Sequence, residues 1–213
     1  MNKQMTIGRL HYVSQQSALC THLDAIDEVL ASGGKWIQLR VKDRPVAEVL
    51  KLALESRKRC TQYDATLIIN DDPYVAAEAG ADGVHLGLGD MPVSEARKIL
   101  GPGVIIGGTA NTFSDIARRV ADGVDYIGLG PCRFTTTKAN LSPVLGLDGY
   151  RLLMQQVKEA GFKVPVIAVG GILGTDIPLL REAGLYGVAV SGALTGKAQL
   201  RKKINKMYME LER

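Results

Sequence analysis

Two hydrophobic periods alternate strictly along this chain, and that alternation limits its folds to very few. Short apolar, β-rich runs at residues 10–13, 36–40, 67–70, 83–86, 104–107, 126–129, 166–169 and 187–190 predict eight strands. Between them, helical patterns fall at 19–31, 45–63, 73–79, 92–100, 112–121, 147–160, 177–183 and 198–211. Strict strand–helix alternation implies parallel strands joined by right-handed crossovers. Eight such units closed on themselves make an α/β chain of one domain, a single (β/α)8 TIM barrel over residues 1–213. A doubly wound open sheet is the alternative, though it usually has fewer strands.

Local chemistry supports the same frame. Gly80, Gly123 and Gly184 each stand where a helix ends and a strand follows, and glycine accepts the left-handed conformation needed there. Pro73 and Pro92 suit first-turn positions, with Asp72 as the cap before Pro73. Thr112 with Asp115 reads as a capping box. Capping therefore absorbs Asp72, Thr112 and Asp115, and leaves Asn70, Asp71, Thr109 and Asn111 without a structural duty. One long irregular stretch, 130–146, lies between the sixth strand and its helix, where a compact barrel usually places a functional loop.

Composition narrows the function class. With 46% hydrophobic and 23% charged residues, the 213-residue chain is an ordinary globular one. No segment approaches the roughly 18 apolar residues of a membrane span, and no leader-like apolar region opens the chain, so a cytoplasmic protein is expected. Cys20, Cys60 and Cys132 form no CxxC pair, which fits a reducing compartment and argues against a disulfide framework or a zinc site. The net charge is +4, and Arg201, Lys202, Lys203 and Lys206 gather on the last helix. No aromatic residues interleave with them, so a solvated face is expected there, with neither nucleic acid nor membrane as partner.

Barrel chemistry sits at the C-terminal ends of the strands. The second strand ends in Gln38, Arg40 and Lys42, which a period of two places on one face, pointing at something anionic. The third offers Asn70 and Asp71, the loop after the fourth Asp90, and the fifth Thr109 and Asn111. The loop after the sixth carries Arg133, Thr135, Thr136, Thr137 and Lys138. The seventh ends in Gly170-Gly171 and the eighth in Ser191-Gly192, positions where backbone N–H groups commonly hold a phosphate. Asp71 and Asp90 lie on neighbouring loops and suit a hard cation, above all Mg²⁺. His85 is expected to be a satisfied interior histidine, His11 and His22 carry no signal, and nothing marks Cys132 as a nucleophile. A site rich in phosphate and metal groups but poor in bases favours departure of a phosphate-type leaving group.

The motifs Gln38-Leu-Arg40-Val-Lys42, Ile69-Asn70-Asp71-Asp72, Asp82-Gly83-Val84-His85-Leu86-Gly87-x-x-Asp90, Asp125-Tyr126-Ile127-Gly128-Leu129-Gly130-Pro131 and Val169-Gly170-Gly171-Ile172 together resemble thiamine-phosphate synthase. The resemblance runs from about Leu10 to Leu194. It implies a (β/α)8 barrel, commonly a homodimer, acting on small molecules. The reaction joins hydroxymethylpyrimidine diphosphate to a thiazole phosphate with Mg²⁺, giving thiamine phosphate and pyrophosphate. It implies that Gln38, Leu39, Arg40, Val41, Lys42, Asn70, Thr109 and Lys138 hold the pyrimidine diphosphate. Asp71 and Asp90 would ligate Mg²⁺, and Thr135, Thr136, Thr137, Gly171, Val190 and Ser191 would hold the thiazole phosphate. Arg40, Lys42 and Lys138 are the catalytic candidates, since cations there would stabilise the departing diphosphate. Gln38, the uncharged member of its stripe, is read as a contact to the pyrimidine. Val41, Thr109, Asn111 and Phe134 depart from residues common in the family. A thiazole tautomerase on the same barrel and a non-catalytic phosphate-binding barrel are the competing readings.

Overall fold

The computed structural model describes residues 6–17, 20–134 and 143–213. Eight parallel strands close into a barrel in sequence order. They are β1 (Leu10–Val13), β2 (Trp36–Leu39), β3 (Thr66–Asn70), β4 (Gly83–Leu86), β5 (Ile105–Ala110), β6 (Tyr126–Leu129), β7 (Val166–Ala168) and β8 (Gly187–Val190). The helices between and after them are α1 (His22–Ala31), α2 (Val46–Gln62), α3 (Pro73–Glu78), α4 (Val93–Leu100), α5 (Phe113–Ala121), α6 (Gly146–Glu159), α7 (Ile177–Glu182) and α8 (Leu200–Glu212). The seam closes where Leu10, His11 and Tyr12 of β1 pair with Val188, Ala189 and Val190 of β8.

The strand period sorts side chains into two cores. Residues such as Ile37, Leu39, Ile69, Leu86, Ile106 and Leu129 face outward and pack under the helices. Fully burying each such side chain contributes about 1.5–3 kcal/mol. The alternate positions Trp36, Ile68, Ile105, Tyr126, Ile167 and Ala189 fill the barrel itself. Aromatic stacking organises that interior: His11 lies on Trp36 at 4.3 Å between centroids, and Tyr126 meets both edge-on.

Element boundaries follow hydrogen bonding more than pattern. β2 stops at Leu39, one residue short of expectation, because the Arg40 N–H donates to Ser14 Oγ (3.1 Å). β5 runs to Ala110, beyond the expected end at 107, so Gly108 is a strand residue like Gly107. Both make room: a Cβ at Gly107 would lie 2.1 Å from the Tyr126 ring, and one at Gly108 2.8 Å from Arg119. α1 begins at His22 and not at 19, because Thr21 and Asp24 form a capping box. Asp72 caps α3 and Thr112 with Asp115 caps α5, both as expected. Pro92 stands one position earlier than expected, at the cap of α4. Gly80, Gly123 and Gly184 all have positive φ.

Candidate active site

On the β2–β4 side of the barrel mouth, polar side chains converge. Gln38 points inward and donates from Nε2 to Asn70 Oδ1 (2.7 Å). The Arg40 guanidinium is half-buried, which weakens its hold on its proton, while Asp71 and Asp43 act in the opposite sense. Lys42 donates to Asp71 Oδ2 in an ion pair. Asp71 has φ 70°, a left-handed conformation uncommon outside glycine, and its N–H donates to His85 O (2.8 Å). Asp90 Oδ2 accepts the Gly87 N–H (2.6 Å), and a Cβ on Gly87 would sit 2.9 Å from that oxygen. The Asp90 carboxyl is raised above its ordinary range, first by burial and then by its hydrogen bond to Asp71. The Gly87 N–H and Lys42 oppose that rise.

Two carboxylates have thus been brought into contact beside a lysine that supplies compensating charge. Such a pair fits a hard divalent cation completed by oxygens from water and substrate. Among the described residues no third His, Cys, Asp or Glu joins them. Magnesium, which takes few protein carboxylates, suits that donor set better than a cation needing an all-protein cage.

Beneath the pair, Tyr126, His85 and Thr109 form a line. Tyr126 OH lies 3.0 Å from His85 Nδ1, and His85 Nε2 lies 3.1 Å from Thr109 Oγ1. Burial raises the Tyr126 hydroxyl well above its ordinary pKa, so it keeps its proton. Tyr126 and Thr109 thus engage both ring nitrogens of His85. His85 is the satisfied interior histidine expected from sequence.

Across the mouth, Gly170 and Gly171 turn with φ 87° and 72°. A Cβ on Gly170 would strike Pro131 Cβ at 2.6 Å, so the close approach requires glycine. Arg133, one of the polar residues collected from sequence, donates to Gly171 O (2.8 Å) and is forked onto Asp176 (2.5 and 2.8 Å). Ser191 Oγ donates to Gln15 Oε1 (2.8 Å). The side chains of Leu39 and Val190 belong to the core under the helices and Val41 packs against it, so these residues offer a ligand backbone groups only. Cys132 is buried and its thiol is pushed up by burial, consistent with an inert residue. Asn111 donates from its side chain to Gly130 O, tying the end of β5 to that of β6. Thr135, Thr136, Thr137 and Lys138 lie outside the described residues.

Several residues that shape the mouth carried no sequence signal. Arg119, in mid-helix on α5, is buried and donates to Thr109 O (3.1 Å) and Gly87 O (2.6 Å). It thereby ties the Asp90 turn to β5. His22 Nδ1 lies 2.9 Å from Ser14 Oγ, which also receives the Arg40 N–H. Strand parity would have placed Tyr126 inside, but a helical arginine facing inward has no local signature.

Fold and site together define a (β/α)8 barrel whose mouth gathers carboxylates, basic side chains and glycine turns. The family model described as thiamine monophosphate synthase matches residues 10–194. A thiamine-phosphate synthase of Flavobacterium johnsoniae is 50% identical over 188 residues, covering 88% of this chain and 89% of that protein. One from Bacteroides fragilis is 48% identical over 185 residues, covering 87% and 91%. The solved structure of a thiamine phosphate pyrophosphorylase from Pyrococcus furiosus superposes with a TM-score of 0.82 at 30% identity, covering 96% of this chain and 95% of that one. The chain belongs to the thiamine monophosphate synthase family.

Proposed function

We propose that the chain joins 4-amino-2-methyl-5-(diphosphooxymethyl)pyrimidine to a thiazole phosphate, forming thiamine phosphate and releasing pyrophosphate. The observation that carries this reading is the meeting of Asp71 and Asp90 beside Lys42 and Arg40, across the mouth from Gly171 and Ser191. In this reading Asp71 and Asp90 would hold Mg²⁺. When bound, the ion supplies positive charge to the departing diphosphate. Arg40 and Lys42 bind the diphosphate; Lys42 exchanges its contact with Asp71 for one with phosphate oxygens. Gln38 and Asn70, already hydrogen-bonded to each other, orient the pyrimidine, and the Thr109 hydroxyl donates to it. The methylene C–O bond breaks with its electron pair passing to the diphosphate, and the thiazole nitrogen then forms the new C–N bond. No side chain need remove a proton, which agrees with His85 being committed to Tyr126 and Thr109. Gly171, Ser191 and the Val190 backbone take the thiazole phosphate. Thr135, Thr136 and Thr137 are assigned to the same group and Lys138 to the diphosphate.

The test is incubation with both substrates and Mg²⁺, reading pyrophosphate and thiamine phosphate in equal amounts. Isomerisation of a thiazole phosphate alone would replace this reading with a tautomerase. Asp71→Ala and Asp90→Ala are each expected to abolish Mg²⁺-dependent coupling while the circular dichroism of the barrel is retained; full activity in both removes the metal assignment. We further propose a homodimer working in the cytoplasm. The free, buried Cys20, Cys60 and Cys132 support a reducing compartment. The dimer rests on the family resemblance, and light scattering giving a monomer mass would end it.

A further inference from the structure

We propose that Gln15, in the connection between β1 and α1, is a positioning residue for the thiazole phosphate, turning its side-chain amide to decide where the Ser191 hydroxyl sends its proton. The inference rests on the assignment of Ser191 to that phosphate. Its first support is the anchoring of the loop. The Ser14 N–H donates to Gln38 O (2.9 Å), and Ser14 Oγ is held by the Arg40 N–H and by His22 Nδ1. The residue before Gln15 is therefore fixed to the diphosphate side of the mouth. From there the Gln15 side chain reaches β8 on the other side. A Cβ on Gly192 would lie 3.8 Å from both the oxygen and the nitrogen of its amide, so the amide lies against the backbone just past β8.

The second support is a proton count. A serine hydroxyl has one proton. Ser191 gives its proton to Gln15 Oε1 (2.8 Å), so it cannot also give it to a phosphate oxygen. The Gln15 Nε2 protons have no acceptor among the described residues, and the side chain is half-exposed at the mouth. Phosphate presents acceptors only. The amide satisfies it by turning over: Nε2 donates one proton to Ser191 Oγ, Ser191 O–H donates to the phosphate, and the second Nε2 proton faces the same anion. Oxygen and nitrogen of an amide are nearly equal in shape, so the turn needs no repacking. Glutamine can do this because it carries an acceptor and two donors on one planar group.

The experiment compares the wild type with Gln15→Glu, Gln15→Met and Ser191→Ala. Calorimetry measures binding of thiazole phosphate alone, and steady-state kinetics gives KM for each substrate and kcat. Both Gln15 variants are expected to weaken thiazole phosphate binding about ten- to a hundred-fold, the loss of hydrogen bonding to a charged group. The KM for the pyrimidine diphosphate should move less than about two-fold, because uniform binding at one subsite has been removed. Weakening in Gln15→Glu with wild-type binding in Gln15→Met would reduce the effect to charge repulsion and overturn the proposal. Equal losses for both substrates together with a fallen kcat would overturn it in favour of a merely structural loop. If Ser191→Ala weakens thiazole phosphate binding and Gln15→Met does not, Gln15 is excluded and the phosphate assignment stands. If Ser191→Ala binds it as well as the wild type, the phosphate assignment itself fails.

Discussion

At the scale of single residues, the barrel interior is set by what one atom more or less would do. Tyr126 is enclosed by His11, Trp36 and His85 and reaches His85 Nδ1 with its hydroxyl. It fits only because β5 places Gly107 against its ring. Gly107→Ala would put a Cβ 2.1 Å from Tyr126 Cζ and 2.5 Å from its hydroxyl oxygen. With rings on three sides Tyr126 has nowhere to retreat, so the substitution should cost about 1–3 kcal/mol or more of stability. Urea unfolding checks it, and a midpoint equal to wild type would show that the ring can yield. Displacing Tyr126 also disturbs its contact with His85, so the Tyr126–His85–Thr109 line depends on a glycine two positions before Thr109 on the same strand.

At the scale of elements, the strand ends are held to one another by side chains from the helix layer. Arg119 on α5 is the clearest case, since it bonds carbonyls from β5 and from the turn after β4. Arg119→Met keeps much of the volume but removes the donor to the Thr109 carbonyl and leaves Gly87 O with only the long Asp90 N–H contact (3.4 Å). A loss of about 1–3 kcal/mol is expected, read by urea unfolding. Because Gly87 also donates to Asp90, the looser turn should raise the Mg²⁺ needed for half-maximal coupling about ten-fold. An unchanged Mg²⁺ requirement would mean that the Asp90–Gly87 bond holds the turn alone. The cap residues of α3 and α5 were legible because their partners lie two or three positions away. The contacts of Arg119 were not, because its acceptors lie 10 to 33 positions away.

At the scale of the molecule, a buried imidazole ties stability to pH. His11 is sealed between Trp36 and Tyr126, with Nε2–H donating to Gly8 O (2.8 Å). Burial lowers its pKa to about 3 from an ordinary 6.5, against that backbone bond. The unfolded chain therefore takes up a proton below pH 6.5 that the folded chain refuses. Stability is complete above that value and falls by about 1.4 kcal/mol per unit as pH drops toward 3. His22, lowered mainly by burial, acts in the same direction. Against His11→Phe, the wild type should lose about 2 kcal/mol more between pH 7 and 5, measured by urea unfolding at each pH. Parallel loss in both proteins would mean that His11 is protonated in the folded barrel.

The amino-acid sequence alone determined the number, order and parallel sense of the strand–helix units, because hydrophobic period and cap chemistry act over a few residues. It also determined which polar residues stand at or just past strand ends, Gln38, Arg40, Asn70, Asp71, Asp90, Thr109 and Ser191 among them. Only the tertiary structure decided what those residues do to one another. It set Lys42 on Asp71 and Asp71 against Asp90, threaded Tyr126 through His85 to Thr109, and laid Gln15 against Ser191, 176 positions away. Closure of the barrel is the reason, since it makes the first strand a neighbour of the eighth and gives residues at opposite ends of the chain one mouth to share.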